Sequence, residues 1–364
     1  MEGIKIPARV SQLDALRAFA IGVVMIHHYR DTRFFLSGFG ATLFFVLSGF
    51  FATKTLLKLR SGVETGRASA VQSIKTFYLK RWLRLWPLYY LVLALTLVLG
   101  VENARSSLIW NAVFLSNIHV LMTGSWSGRF SPLWSLSVLE QFYMLWPAFI
   151  IFCPKKAMLP SILALIALAP LYRVGCFLAN ASPLYWCVVP CASFDQLGCG
   201  ALLALCTEKA IGTTAAGMIH SVARNFFLPV FMVLLVCKSW NVELPFSAIY
   251  IGTVASFAFL WLVNRAARGF SGPVGRLMES PMLGHVGRMS YAIYLLHDFT
   301  ELLVPRTGMV RLLLESNYKA LLLIPLTILV AHIAWRFIES PILSLRRKYI
   351  LAPVGPCAVP EAQA

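Results

Sequence analysis

The sequence is short of charge, and shorter still of acid. Only 13% of its 364 residues are Asp, Glu, Lys or Arg, where soluble domains carry roughly a quarter. Fifteen acidic residues face 32 basic ones, a formal charge of +17. With 59% hydrophobic residues and a mean hydropathy of +0.73, the chain cannot hide its apolar surface in one water-soluble core. A soluble domain is thereby excluded. Nucleic acid is not an expected partner, because the bases are scattered over segments flanking apolar runs. Among eight cysteines there is no C-x-x-C pair and no Cys/His cluster with zinc spacing, so no metal site is expected. There is no G-x-S-x-G nucleophile elbow, no Walker A motif and no dinucleotide fingerprint. An internal repeat of the kind many secondary transporters carry is also missing. The first apolar stretch lacks a small-residue cleavage site and reads as a retained helix.

What the sequence has is long apolar runs. A membrane span needs about 20 mostly apolar residues, and about ten windows qualify, from "LRAFAIGVVMIHHY" to "ALLLIPLTILVAHIAWRFI". The expected fold is therefore all-α and polytopic, with a membrane domain over residues 10–348 and a disordered, Pro-rich tail over 349–364. Lys and Arg set the orientation. Lys54, Lys58, Arg60, Arg67, Lys75, Lys80, Arg81 and Arg84 cluster on one side, and Arg346, Arg347 and Lys348 join them. The opposite side holds only scattered bases such as Arg30, Arg33, Arg105 and Arg129. Both termini are expected to be cytoplasmic, in the inner membrane. Cys187 and Cys191 fall in an outer loop, where a disulfide could form.

The first helix raises a chemical question, because "LDALRAFAIGVVMIHHY" begins with Asp14 and Arg17 and ends with His27 and His28. Ionisable groups in hydrocarbon are costly unless paired or turned to a cavity. Arg17 and His28 are eleven residues apart, so they return to within about 20° of one another on the helix and lie about 16 Å apart along it. His27 points about 100° away. An elongated anionic ligand could lay phosphates at Arg17 and its reactive end near His28. Equally, Arg17 could snorkel to one interface and His28 sit at the other.

Several motifs in order resemble one family. Leu13, Asp14, Leu16 and Arg17, with His28 after ten intervening residues, resemble the opening of the acyltransferase-3 family of integral-membrane O-acyltransferases. "LFFVLSGFF", "LKRWLRLWPLYY", "PLWSLSVLEQFYMLWP", "FDQLGCGALLA", "SYAIYLLH" and "FIESP" followed by "LRR" are similar to later family patterns. Two positions depart from them. Ala41 and Thr42 stand where the family has Val-Asp, and Leu139 replaces the first of two glutamates, leaving Glu140.

The resemblance implies an acyl-CoA donor, most often acetyl-CoA, and a hydroxyl acceptor on a cell-envelope glycan or lipid-linked glycan such as O-antigen or exopolysaccharide. Membrane lipid surrounds the chain, and no appended esterase-like domain is expected. Arg17, Arg81 and Arg84 would meet the donor's phosphates. Arg81 and Arg84 share a helix face, and their guanidiniums can grip phosphate or merely anchor the helix end. His28 would act as general base or carry the acyl group, and a neutral imidazole suits either role. Glu140, alone in an apolar window, would partner an Arg or His of the site. Trp134, Ser135 and Ser137 could line a sugar site or sit at the interface. Asp14, Tyr294 and His297 would bind acceptor or hold helices together. A transporter without chemistry, or acylation of a small molecule such as a macrolide, are the alternatives.

Overall fold

The computed structural model describes residues 11–29, 38–242, 244–305, 307–316 and 318–344. The expected outer bases Arg30 and Arg33, the inner trio Arg346, Arg347 and Lys348, and the 349–364 tail lie outside the described residues. Every element described is helical, and no strand occurs among the described residues.

Ten helices correspond to the ten apolar windows. They are α1 (Ser11–Tyr29), α2 (Phe39–Glu64), α3 (Ala70–Val98), α4 (Leu133–Phe152) and α5 (Lys155–Leu178). Then follow α6 (Phe194–Thr207), α7 (Thr213–Ser239), α8 (Ser247–Arg268), α9 (Ser290–Thr300) and α10 (Lys319–Ser344). Six of these, α2, α4, α5, α7, α8 and α10, are long and apolar enough to cross a membrane. The others are interrupted by polar groups or too short. α1 carries Asp14, Arg17 and the histidines, α3 opens with Lys75, Lys80, Arg81 and Arg84, and α6 and α9 have 14 and 11 residues. The protein is an all-α, multi-pass membrane protein, and the polar residues that spoil these windows are those that build its interior.

The bundle core forms where α2 crosses α6. A Cβ on Gly49 would run into the carbonyl of Leu197, and one on Gly200 into Val46 O and Phe50 N. Small residues let membrane helices approach backbone to backbone, where packing replaces the missing hydrophobic drive. Prolines inside α3, α4, α5 and α10 are tolerated because neighbouring helices cover the broken turns.

A buried ion pair ties three helices together. Arg173 of α5 pairs with Asp195 of α6, and Thr253 of α8 accepts from Arg173 at 3.1 Å and donates to Asp195 at 2.7 Å. Gly252 leaves room for the guanidinium. Each charge is paired and hydrogen-bonded, the condition for burying it in a membrane. Cys187 and Cys191 are both free.

α1 joins two apolar clusters. Its first half (Leu13, Leu16, Ala20) packs with α2, α4, α6 and α8, and its second half (Ile21, Val24, Met25, Tyr29) with α3, α9 and α10. Gln12 fixes the lower end by donating to Phe270 O (3.0 Å) and Glu279 Oε1 (2.9 Å). α1 is thus a central post with Arg17 near one face of the bundle and His28 near the other.

Candidate active site

Two cavities open at the two ends of α1. The one on the Arg17 face has a volume of about 140 Å³ and is lined by Arg17, Arg81, Arg84, Ser48, Ser135 and Tyr294, with aromatic walls from Phe44 and Phe51. The one on the His28 face has a volume of about 410 Å³ and is more polar, with His28, Tyr29, Asn103, Arg129, Asp298 and Glu301 on its walls.

The basic end is built from three helices. Arg17 donates to Asp14 Oδ1 at 2.7 Å, one turn earlier on α1, and its guanidinium lies 4.5 Å from the centre of the Phe51 ring. Arg81 donates from Nε to Glu140 Oε1 at 3.3 Å and stacks over Tyr143 at 3.1 Å. Arg84 lies within electrostatic reach of the buried Glu339. Arg17 and Arg81 are thus each oriented by a carboxylate and an aromatic ring, and three guanidiniums gathered on one cavity suit a phosphate-bearing ligand.

The other end is organised around one carboxylate. His28 Nδ1 lies 3.2 Å from Asp298 Oδ1, and His297 Nε2 lies 3.4 Å from the same oxygen. The two imidazoles meet edge to face with centroids 4.7 Å apart. His297 Nδ1 is 2.6 Å from the carbonyl of Tyr294, which can only accept, so this nitrogen carries a proton. Tyr29 OH donates to His297 O and meets Thr327 Oγ1 at 2.7 Å, tying α1, α9 and α10 together. Arg129 holds the backbone of Asp298 at 2.7 Å. With its Nδ1–H directed to Asp298, His28 presents Nε2, and its side chain is 30% exposed, to the outer cavity. This is the arrangement that orients a general base: a carboxylate fixes the tautomer and steadies the imidazolium that forms.

Tyr294 connects the two groups of residues. Tyr294 lines the inner cavity, its hydroxyl lies 2.7 Å from Ser135 Oγ and donates to Pro132 O at 2.8 Å, and its carbonyl holds His297.

Residues 10–336 match the family described as the acyltransferase domain of acyltransferase-3 proteins. The chain belongs to the acyltransferase-3 family. The peptidoglycan O-acetyltransferase OatA of Listeria monocytogenes is 25% identical, over 92% of this chain and 56% of its own length. YrhL of Bacillus subtilis is 27% identical over 91% of this chain and 54% of its own. The O-acetyltransferase OatA of Staphylococcus aureus is 26% identical over 94% and 58%. The chain thus spans little more than half the length of these relatives. No solved structure matches it.

This acyltransferase-3 chain distributes the expected site residues in two groups. Arg17, Arg81, Arg84, Ser135 and Tyr294 share the inner cavity, whereas His28 lines the outer one. The helical spacing of Arg17 and His28 placed both on a single ligand surface, and the structure turns them toward separate cavities. Glu140, expected to partner an Arg or His of the site, pairs with Arg81, and the carboxylate at His28 is Asp298. Trp134 packs beside Phe45 (6.2 Å between ring centres) and Ser137 bonds Ser116 (2.7 Å). Asp14 is the partner of Arg17, and His297 is fully buried behind the outer cavity. Asp298, Tyr29 and Arg129 were not singled out in the sequence. "HDF" and "HHY" hold the first two next to candidate histidines, but only the pairing of α1 with α9 gives them a role. The imidazole nitrogens of His28 and His297 and a carboxylate oxygen of Asp298 lie within 4.8 Å of one another, so these three could also hold a metal ion.

Proposed function

We propose that this protein is an integral-membrane O-acyltransferase that takes its acyl group from acyl-CoA on the Arg17 face and delivers it to a glycan hydroxyl on the His28 face. The observation that carries this reading is the pair of cavities, one arginine-lined and one built on a His–Asp pair, connected through Tyr294. The Lys/Arg bias assigns the Arg17 face to the cytoplasm, where acyl-CoA is made, and places both termini there, in the cytoplasmic membrane. The acyl group is acetyl and the acceptor peptidoglycan, by analogy with the name of the Listeria relative.

In this reading Arg17, Arg81 and Arg84 hold the donor's phosphates, and the pantetheine arm runs along Phe44 and Ser48 toward Ser135 and Tyr294. For thioester and hydroxyl to meet, the Ser135–Tyr294 bond opens. His28 Nε2 takes the proton of the acceptor hydroxyl, whose oxygen attacks the thioester carbonyl carbon. The C–S bond breaks, and the leaving sulfur takes the proton back from the imidazolium as free CoA forms. Asp298 stays ionised and holds the ring throughout.

The test is donor turnover together with product analysis. Purified protein should release CoA only when a glycan acceptor is present, and mass spectrometry of the wall glycans should lose O-acetyl groups when the gene is deleted. CoA release that is absent under all acceptors, with solute flux in its place, would favour a transporter.

A further inference from the structure

A third cavity plays no part in this chemistry. It has a volume of about 280 Å³, lies between α7 and α8, and shares no lining residue with the other two. It lies on the Arg17 face, because Arg268 is two residues from Phe270, which Gln12 anchors. Arg224, Arg265 and Arg268 line it, with His220, Asn264 and Trp261. Among the described residues no carboxylate lines it and no salt bridge is formed by the three arginines, of which Arg265 donates to Gly269 O and lies over the Phe270 ring.

The local backbone is irregular in a way that serves a site. A π turn over Ala223–Phe227 interrupts α7, and such turns occur often at functional positions. Just below it Phe227 stacks on Phe257, with centroids 4.3 Å apart and planes 12° apart, which pins α7 to α8. Above that clamp the helices part, and Arg224 and Phe226 stand exposed on the outside of the bundle.

Two of its lining residues carry a buried polar atom without a hydrogen-bond partner, Asn264 Oδ1 and His220 Nδ1. Asn264 is only 6% exposed. At membrane depth an unsatisfied polar atom is costly, so a buried acceptor here calls for a donor that the protein does not supply. The arginines call for an anion, and the orphan Asn264 oxygen and His220 ring nitrogen call for hydroxyl groups, which can donate to one and either donate to or accept from the other. A phosphate diester carrying a glycerol with free hydroxyls answers both at once.

We propose that this cavity binds the head group of an anionic phosphoglycerol lipid, with phosphatidylglycerol as the occupant. Phosphate sits between Arg224, Arg265 and Arg268, and glycerol hydroxyls donate to Asn264 Oδ1 and hydrogen-bond with His220 Nδ1. Trp261 stands beside the head group as indoles do at a bilayer interface. Basic pockets between membrane helices on the cytoplasmic side are suited to anionic head groups. The acyl chains leave through the exposed gap at Phe226 into the surrounding leaflet.

Native mass spectrometry of the full chain, released from detergent with equal amounts of phosphatidylglycerol, phosphatidic acid and phosphatidylcholine, tests this directly. One phosphatidylglycerol per chain should be retained in preference to the other two. Arg224→Gln, at an exposed position that does not threaten folding, should weaken that binding about fivefold, as expected for one basic contact near a membrane surface. Arg265→Gln combined with Arg268→Gln should weaken it further. Asn264→Leu should erase the preference for phosphatidylglycerol over phosphatidic acid while anionic lipid still binds. Retention of phosphatidylcholine as well as phosphatidylglycerol would overturn the proposal, as would indifference of retention to both Arg224→Gln and Asn264→Leu. Displacement of the lipid by millimolar sn-glycerol 3-phosphate would also overturn it, by assigning the cavity to a soluble phosphate.

Discussion

His28, on the first helix, and Asp298, on the ninth, are held with Nδ1 3.2 Å from Oδ1. In the proposed mechanism this contact directs His28 as the base. His28→Ala should abolish transfer. Asp298→Asn, which keeps the shape but not the charge, should lower kcat about a hundredfold or more with little change in the donor KM. His27→Ala should be milder, since His27 is not the imidazole held by that carboxylate. Steady-state kinetics at matched protein levels checks all three. Equal losses for His27→Ala and His28→Ala would remove the case for a single base.

The arginines should divide by partner. Arg84→Gln should raise the KM for acyl-CoA about tenfold, partly rescued by more donor, because it removes a charge-assisted contact to phosphate. Arg81→Ala should do the same and also destabilise the protein by on the order of 3 kcal/mol, because it strands the buried Glu140. Adding Glu140→Gln should recover folded protein without restoring the donor KM. Thermal unfolding and kinetics in nanodiscs separate the two effects. An unchanged donor KM in both Arg81→Lys and Arg84→Gln would place the donor elsewhere.

Much of this was legible before any coordinates. The apolar windows mark the ten main helices, and the spacing of Arg17 and His28 puts both on α1 as a pair, although they line different cavities. The hidden part is the long-range pairing. Asp298 stands next to a candidate histidine in "LLHDF", yet periodicity along α9 cannot say that α1 lies opposite it. Glu140 looked like the site's carboxylate because it is alone in an apolar window, and only the approach of α3 shows that Arg81 takes it. The Arg173–Asp195 pair escaped for the same reason, since each charge sits in a different helix. Only six of the ten windows are long and apolar enough to cross a membrane, because polar site residues and the short α6 and α9 dilute the apolar signal in the others.

Zinc should inhibit. The three donor atoms of His28, His297 and Asp298 are close enough to hold a metal ion. A zinc ion bound there would occupy the imidazole that serves as base. Added Zn²⁺ should suppress CoA release, EDTA should restore it, and Asp298→Asn should blunt the inhibition. Loss of activity on EDTA alone, restored by metal, would instead make the cluster a working metal site.

The crossing of α2 and α6 should be intolerant of even one methyl group. Gly49→Ala or Gly200→Ala forces Cβ into facing backbone that cannot move aside. Gly62→Ala on the same helix meets nothing within 4 Å and should be neutral. Yields of monodisperse protein by size exclusion would show the contrast. Normal yields of Gly49→Ala and Gly200→Ala would mean that the helices do not pack this closely.

The central claim is that donor and acceptor enter from opposite faces and meet at His28. The most direct measurement seals radiolabelled acetyl-CoA inside proteoliposomes and supplies a soluble peptidoglycan fragment only outside. The account predicts labelled, O-acetylated fragment outside the vesicles with wild-type protein and none with His28→Ala. Label that reaches the fragment only when donor and fragment share the same side would contradict it.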